Sequence, residues 1–301
     1  MKKFLATLLL AVPMVVAAQD QAPAPSSQAS LKGELKEAAP TYSDIYCAGF
    51  ITKENIPNSN HILAGLGSPH GSRFAARDTV YLQGSGYVVG NQYAVVRKIS
   101  DPNKEEQFPG ERALLAKSGF EYAELGRIVI THIDKDVAEG VVEFSCQTMM
   151  PGDSLVPFHE KEMVKFTPRT APFERYAPMG ATAGRIIEGK EFDQVLGTGQ
   201  KVYVNIGANK GLHPGDYLRV TRNYDPKDTN PIDAISLNTP YADDTATDVV
   251  KLTKSDYKKL PYRGLGEIVV LSVTPETATG MITFALEDIQ VGDVVEAQAK
   301  Q

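Results

Sequence analysis

The chain has 301 residues, 42% of them hydrophobic, and 31 Lys and Arg against 37 Asp and Glu give it a formal net charge of −6. Mild acidity without any Lys/Arg cluster argues against nucleic acid or an anionic lipid surface as the main partner. The length allows one large domain or two of ordinary size.

Lys2 and Lys3 precede an apolar stretch from Phe4 to Val16, and Ala17 and Ala18 follow just before Gln19 and Asp20. A charged start, an apolar core and small residues at a cleavage point make residues 1–18 a secretory signal peptide. The apolar core falls short of the roughly 20 residues a membrane helix needs, and Pro13 interrupts it. The first cysteine is Cys47, too far on for a lipoprotein anchor, and nothing later is apolar for long enough to span a bilayer. The expected location is therefore periplasmic or secreted, with no membrane span after cleavage. Residues 19–44 are rich in Ala, Pro, Ser and Gln and poor in large apolar residues, so they read as a disordered leader.

Beyond the leader the sequence repeats itself. Ala48-Gly49-Phe50-Ile51 pairs with Ala183-Gly184-Arg185-Ile186, and Thr79-Val80-Tyr81-Leu82 with Lys201-Val202-Tyr203-Val204. The strands that follow close on Arg97 and Arg222. Leu125-Gly126-Arg127-Ile128 then matches Leu265-Gly266-Glu267-Ile268, and Gly140 and Gly152 match Gly280 and Gly292, all at one constant offset (126 to 266, 140 to 280, 152 to 292). Copy 1 spans residues 45–158 and copy 2 residues 180–297. Residues 159–179, with Pro168, Pro172 and Pro178, form an extended and exposed linker.

Each copy reads as β. Ile128–Ile133 and Ile268–Val273 are β-branched runs, and Val142, Phe144 and Cys146 alternate with Glu143 and Ser145 at the two-residue strand period. Gly followed by Asp or Asn at a strand start occurs at Gly90, Gly152-Asp153, Gly215-Asp216 and Gly292-Asp293, which is the chemistry of sharp turns. Short strands and Gly turns predict an all-β fold with minor α: two tandem small barrel-like modules, with a sandwich as the alternative. Between Arg97 or Arg222 and the Leu-Gly strand the copies differ, with helical patterns at Glu111–Lys117 and Asp248–Lys259. Copy-specific binding is expected in these excursions.

No catalytic, cofactor or metal site stands out. The five histidines are scattered, and only His61 and His70 share a loop. Ser68 misses the central position of a nucleophile elbow, and Gly84-Ser85-Gly86 lacks the Lys-Ser/Thr of a phosphate loop. Tyr81 and Tyr203 occupy equivalent strand positions, where packing with a locally bonded hydroxyl is the plain reading. Cys47 and Cys146 are expected to pair, since export places them in an oxidising compartment and their copy 2 counterparts, Thr182 and Leu286, carry no thiol.

Val202-Tyr203-Val204, Gly211-Leu212-His213-Pro214-Gly215-Asp216, Leu265-Gly266-Glu267-Ile268 and Val291-Gly292-Asp293 together resemble the C-terminal domain of flagellar assembly protein T. They are also similar to β-modules that follow LysM repeats in envelope proteins. The resemblance implies a periplasmic, non-enzymatic architecture. Both lines lead to one expectation, an envelope scaffold or assembly protein that binds a protein or peptidoglycan partner, with a secreted hydrolase whose site lies between the modules as the alternative.

Overall fold

The computed structural model describes residues 36–103, 105–177, 180, 182–223, 253–257 and 259–298. The signal peptide, leader residues 19–35, Pro178 and the segment Asp248–Leu252 lie outside them. Lys36–Gln301 belong to one compact unit, built on two closed six-stranded β-barrels.

Barrel 1 comprises β2 (His61–Gly65), β3 (Thr79–Gln83), β4 (Gln92–Ile99), β5 (Phe120–Asp134), β6 (Val137–Ser145) and β7 (Ser154–Pro157). They are ordered β5-β4-β7-β2-β3-β6, and β6 returns to β5. Barrel 2 comprises β8 (Ala183–Gly189), β10 (Lys201–Val204), β11 (Tyr217–Arg222), β12 (Arg263–Val273), β13 (Ala278–Ala285) and β15 (Val294–Ala297). Substituting each copy 2 strand for its counterpart reproduces the same circular order. A small ribbon of β9 (Val195–Leu196) with β14 (Ile289–Gln290) closes one end of barrel 2, and in barrel 1 the single bridge Phe74 to Met149 does the same. Each barrel has its own apolar interior, around Leu82, Val95, Ile128 and Val142 in one and Val204, Val220, Ile268 and Ile282 in the other.

A shared latch holds the turn of each copy. Asp153 accepts two bonds from the Arg97 guanidinium, Nε and Nη2 each at 2.7 Å, and one from the Met150 backbone N–H at 2.6 Å. Asp293 does the same with Arg222, at 2.7 and 2.8 Å, and with the Gln290 N–H at 2.8 Å. In both copies the remaining reach of the arginine goes to a backbone carbonyl, Thr148 or Asp288. A bidentate guanidinium is the partner a carboxylate needs when it is this deeply buried.

Two sequence assignments change. Ala48–Ile51 is not the counterpart of Ala183–Ile186. The true counterpart is Ser59–Ile62, because Ile62 bonds Gly152 and Asp153 across the barrel as Ile186 bonds Gly292 and Asp293. Phe50–Thr52 is instead an added strand, β1, paired with the Phe120–Tyr122 extension of β5 outside the barrel. The alternation through Val142, Phe144 and Cys146 also breaks: Val142 opposes Ile128 but Phe144 opposes Arg127, leaving Glu143 as a bulge. A bulge reverses the faces beyond it, so Phe144 packs on Tyr42 and Cys146 reaches Cys47.

The linker is extended but not free. Arg169 pairs with Glu267, the Tyr217 hydroxyl receives a bond from the Thr167 N–H at 3.0 Å, and Phe173 meets Phe284 edge to face. Part of the stretch assigned to the leader is ordered, since the Ala38 N–H donates to the Thr283 carbonyl at 2.7 Å.

Candidate functional site at the junction of the barrels

The described residues between the barrels start with a short helix, α1 (Tyr42–Tyr46), capped by Thr41. The Asp44 N–H donates to Thr41 Oγ1 at 3.2 Å, and the Thr41 N–H returns a bond to the Asp44 carboxylate at 2.8 Å, a reciprocal cap that fixes where the helix begins. Ile45 and Ala48 then press on Val269, Leu271 and Met281 of the outer wall of barrel 2. Cys47, at the end of α1, is bonded to Cys146 of barrel 1, with Cα atoms 5.5 Å apart across 99 residues of chain. The segment that lies on barrel 2 is thus stapled to barrel 1.

After Cys47 three backbone carbonyls accept from hydroxyls of barrel 2. Tyr203 Oη donates to Ala48 at 3.2 Å, Thr279 Oγ1 to Gly49 at 2.9 Å and Thr277 Oγ1 to Ile51 at 2.6 Å. Tyr203 is therefore the packing tyrosine with a locally bonded hydroxyl that its strand position suggests. The copy 1 excursion completes the junction. Phe108 joins the interior cluster of barrel 2 under the Arg185 guanidinium, and Leu114 and Leu115 of α2 (Glu111–Ser118) pack with Ile51, Ile187 and Tyr203. A loop that reads as a variable binding element is, in copy 1, the clasp between the modules.

Within this seal two carboxyl groups meet. Glu121 comes from the β5 extension and Glu188 from the bulged end of β8, each only 6% exposed and within hydrogen-bonding reach of the other. Burial, followed by the Glu121 charge, pushes Glu188 up to about 9, and burial pushes Glu121 up to about 7. Among the described residues no N–H or O–H donates to either Glu121 oxygen, and the nearby Tyr203 hydroxyl has given its hydrogen to Ala48. A proton shared between the two acids would satisfy them, as expected where two buried carboxylates share a site. Burial and the same two carboxyl groups also hold Tyr203 far above the ordinary tyrosine range.

Two clefts are lined by described residues outside this seal. One of about 160 Å³ on the wall of barrel 1 is lined by Tyr42, Tyr46, Phe144 and Phe158 with Arg127 and Lys161 at its edge. The Arg127 guanidinium sits 4.7 Å from the Phe158 ring centre, and Lys161 pairs with Glu124 at 2.6 Å. The second, of about 510 Å³, lies between the linker and barrel 2, around Lys165, Arg169, Asp216, Tyr217 and Glu267. Neither is lined by Glu121 or Glu188.

The turn residues named from sequence do not converge. Gly152-Asp153 and Gly292-Asp293 sit on separate barrels within the Arg latches, and Asp216 receives the His213 N–H of its own turn at 2.8 Å. Gly90 and Gly215 donate their N–H groups across to Ile130 and Val270, each at 2.8 Å. Among the described residues no three His, Cys, Asp or Glu come together as metal ligands, and the His61 ring bonds the nearby Asn58 carbonyl. The acid pair had one sequence signal, a Glu inside the apolar run Ile186-Ile187-Glu188 where copy 1 has Ala64. No known family model matches the chain, and comparison with curated proteins gives no match.

Proposed function

We propose that this protein is an exported scaffold of the cell envelope, periplasmic or secreted, which binds a protein or peptidoglycan partner without catalysis. The observation that carries this reading is the cleft on barrel 1, where Tyr42, Tyr46, Phe50, Phe144 and Phe158 stand beside Arg127 and Lys161. Aromatic rings with a guanidinium at the edge are the composition of recognition surfaces, for peptide chains and for sugar rings alike. The Cys47–Cys146 bridge supports export, because such bonds persist in oxidising compartments. The likeness of the strands and turns to flagellar assembly protein T and LysM-associated modules belongs to the same proposal. The test is to co-sediment the protein with purified sacculi and, separately, to use it as bait against an envelope extract. Capture by one of the two, lost in Phe158→Ala and Arg127→Ala, is expected; unchanged capture by both variants overturns the assigned surface.

One observation favours the alternative of a secreted hydrolase, namely that Glu121 and Glu188 meet between the modules. Paired carboxyl groups with separated affinities for protons are the means of acid/base catalysis. Here they are closed off from solvent, and a substrate reaches them only if the clasp opens. Turnover of a glycan or peptide by the intact protein, abolished in Glu188→Gln, would establish the hydrolase over the scaffold.

A further inference from the structure

The two barrels have the same path, so each surface of one has a counterpart on the other, and one pair of counterparts is filled in barrel 2 and open in barrel 1. On barrel 2, the bulged end of β8 and the turn before β15 receive the clasp, with Ile51 of β1 beside it: Ile187 is fully buried, Tyr203 is 1% exposed, and Phe108 lies against Gly292 and under Arg185. A Cβ on Gly292 would stand 2.8 Å from the Phe108 ring, whereas one on Gly152, its counterpart, meets nothing within 4 Å among the described residues. Leu63, the counterpart of Ile187, is 42% exposed, and Met150, beside Gly152, is 37% exposed. Tyr81 and His61 take the places of Tyr203 and Arg185 and are partly exposed. Ala64 stands where barrel 2 has Glu188, so the open face is also the more apolar of the two.

The clasp on barrel 2 comes from a definite place, the connection between β4 and β5 of the preceding module (residues 100–119). The same connection in module 2, between β11 and β12, runs over residues 223–262 and lies mostly outside the described residues. It is twice as long and carries apolar residues at Ile232, Ile235, Leu237 and Tyr241. What module 1 does to module 2 within one chain, module 2 is equipped to do to the open face of another.

We propose that the open face around Leu63, Met150 and Gly152 is a self-association surface, which receives the β11–β12 connection of a second copy of this chain. Such a contact is heterologous, one patch against a different patch, so it generates chains or closed rings and not face-to-face pairs. It stands apart from the scaffold reading, because it requires neither envelope extract nor peptidoglycan.

The experiment begins with sedimentation of the full chain with its disulfide intact. Concentration-dependent association is expected, weakened about tenfold or more by Leu63→Asp and by replacing residues 231–241 with a Gly-Ser segment of equal length. Monomer up to a concentration of about 100 μM, or association that either change leaves untouched, overturns the proposal. Because Leu63→Asp can also disturb barrel 1, a second measurement uses the otherwise unaltered chain with a photo-crosslinking phenylalanine analogue at position 63. In a mixture of heavy-isotope-labelled and unlabelled protein, crosslinks from position 63 to peptides within 223–262 are expected to join one heavy and one light chain. Crosslinks confined to a single chain, or to other segments, overturn it.

Discussion

The Arg–Asp latch is the most economical case of residue-level chemistry in the molecule, since a single interaction built twice fixes both closing turns. Asp293 is 6% exposed, and burial pulls its carboxyl upward while Arg222 pulls it back. Removing the arginine leaves that charge without its partner, a loss of about 3–5 kcal/mol for a buried pair. Arg222→Ala is therefore expected to lower the midpoint of denaturant unfolding sharply, and Arg97→Ala to do the same through Asp153, at slightly lower cost because Arg97 is the more exposed arginine. The two turn glycines separate backbone strain from packing. Gly152 has φ 93° and Gly292 φ 102°, a region that costs a side-chain-bearing residue about 1–2 kcal/mol. Gly152→Ala should show that cost alone, because the added Cβ enters open space. Gly292→Ala should cost measurably more, because its Cβ meets Phe108. Equal losses in chemical denaturation would mean that the clasp does not rest on barrel 2 as described.

At the scale of elements, the loop from Ser100 to Gly119 behaves as two things at once. Asn103 and Glu105 are exposed, and substitutions there should stay within about 0.5 kcal/mol of the parent. Phe108 is 4% exposed within the interior cluster of barrel 2, and Phe108→Ala is expected to cost about 3–5 kcal/mol, as for a core aromatic. Sequence reasoning reached the strands, the turns, the duplication and the disulfide, because each leaves a local mark: β-branched runs, Gly-Asp pairs, a constant offset, two thiols in an exported chain. It misplaced β1 because Ala-Gly-Phe-Ile and Ala-Gly-Arg-Ile look alike, while true equivalence rests on cross-barrel hydrogen bonds from Ile62 and Ile186. It missed the bulge at Glu143 because an extra residue is invisible to a period of two. The junction did leave a trace, in outward positions. Copy 1 has Glu139 and Glu143 where copy 2 has Thr279 and Thr283, and β13 is buried over nearly its whole length while β6 alternates. A strand that loses its solvent-facing charges in one copy is a strand that something covers.

At the scale of the whole molecule, the junction makes the stability of barrel 2 depend on chain that precedes it. Val269, Leu271, Ile187 and Tyr203 are each at most 2% exposed, and their covers lie in residues 45–52 and 108–115. Residues 175–301 expressed alone should therefore melt below the full chain, and adding residues 41–165 should raise that transition. The acid pair sets how the junction responds to pH. Both folded-state affinities lie above the ordinary value of 4.5, at about 7 for Glu121 and about 9 for Glu188. The folded protein thus binds more protons than the unfolded chain between pH 4.5 and the folded values. The contribution of the pair to stability is then fullest below about 4.5 and falls as pH rises through neutrality, the reverse of a salt-bridged carboxylate. Asp101 and Glu111 add negative charge near Glu188 and reinforce the trend. Glu188→Gln keeps a hydrogen donor for Glu121 and cannot ionise, so its melting temperature should match the parent at pH 5, exceed it at pH 9 and vary less between the two. A parent protein that gains stability from pH 5 to pH 9, with Glu188→Gln tracking it, would show that no proton is held between the barrels.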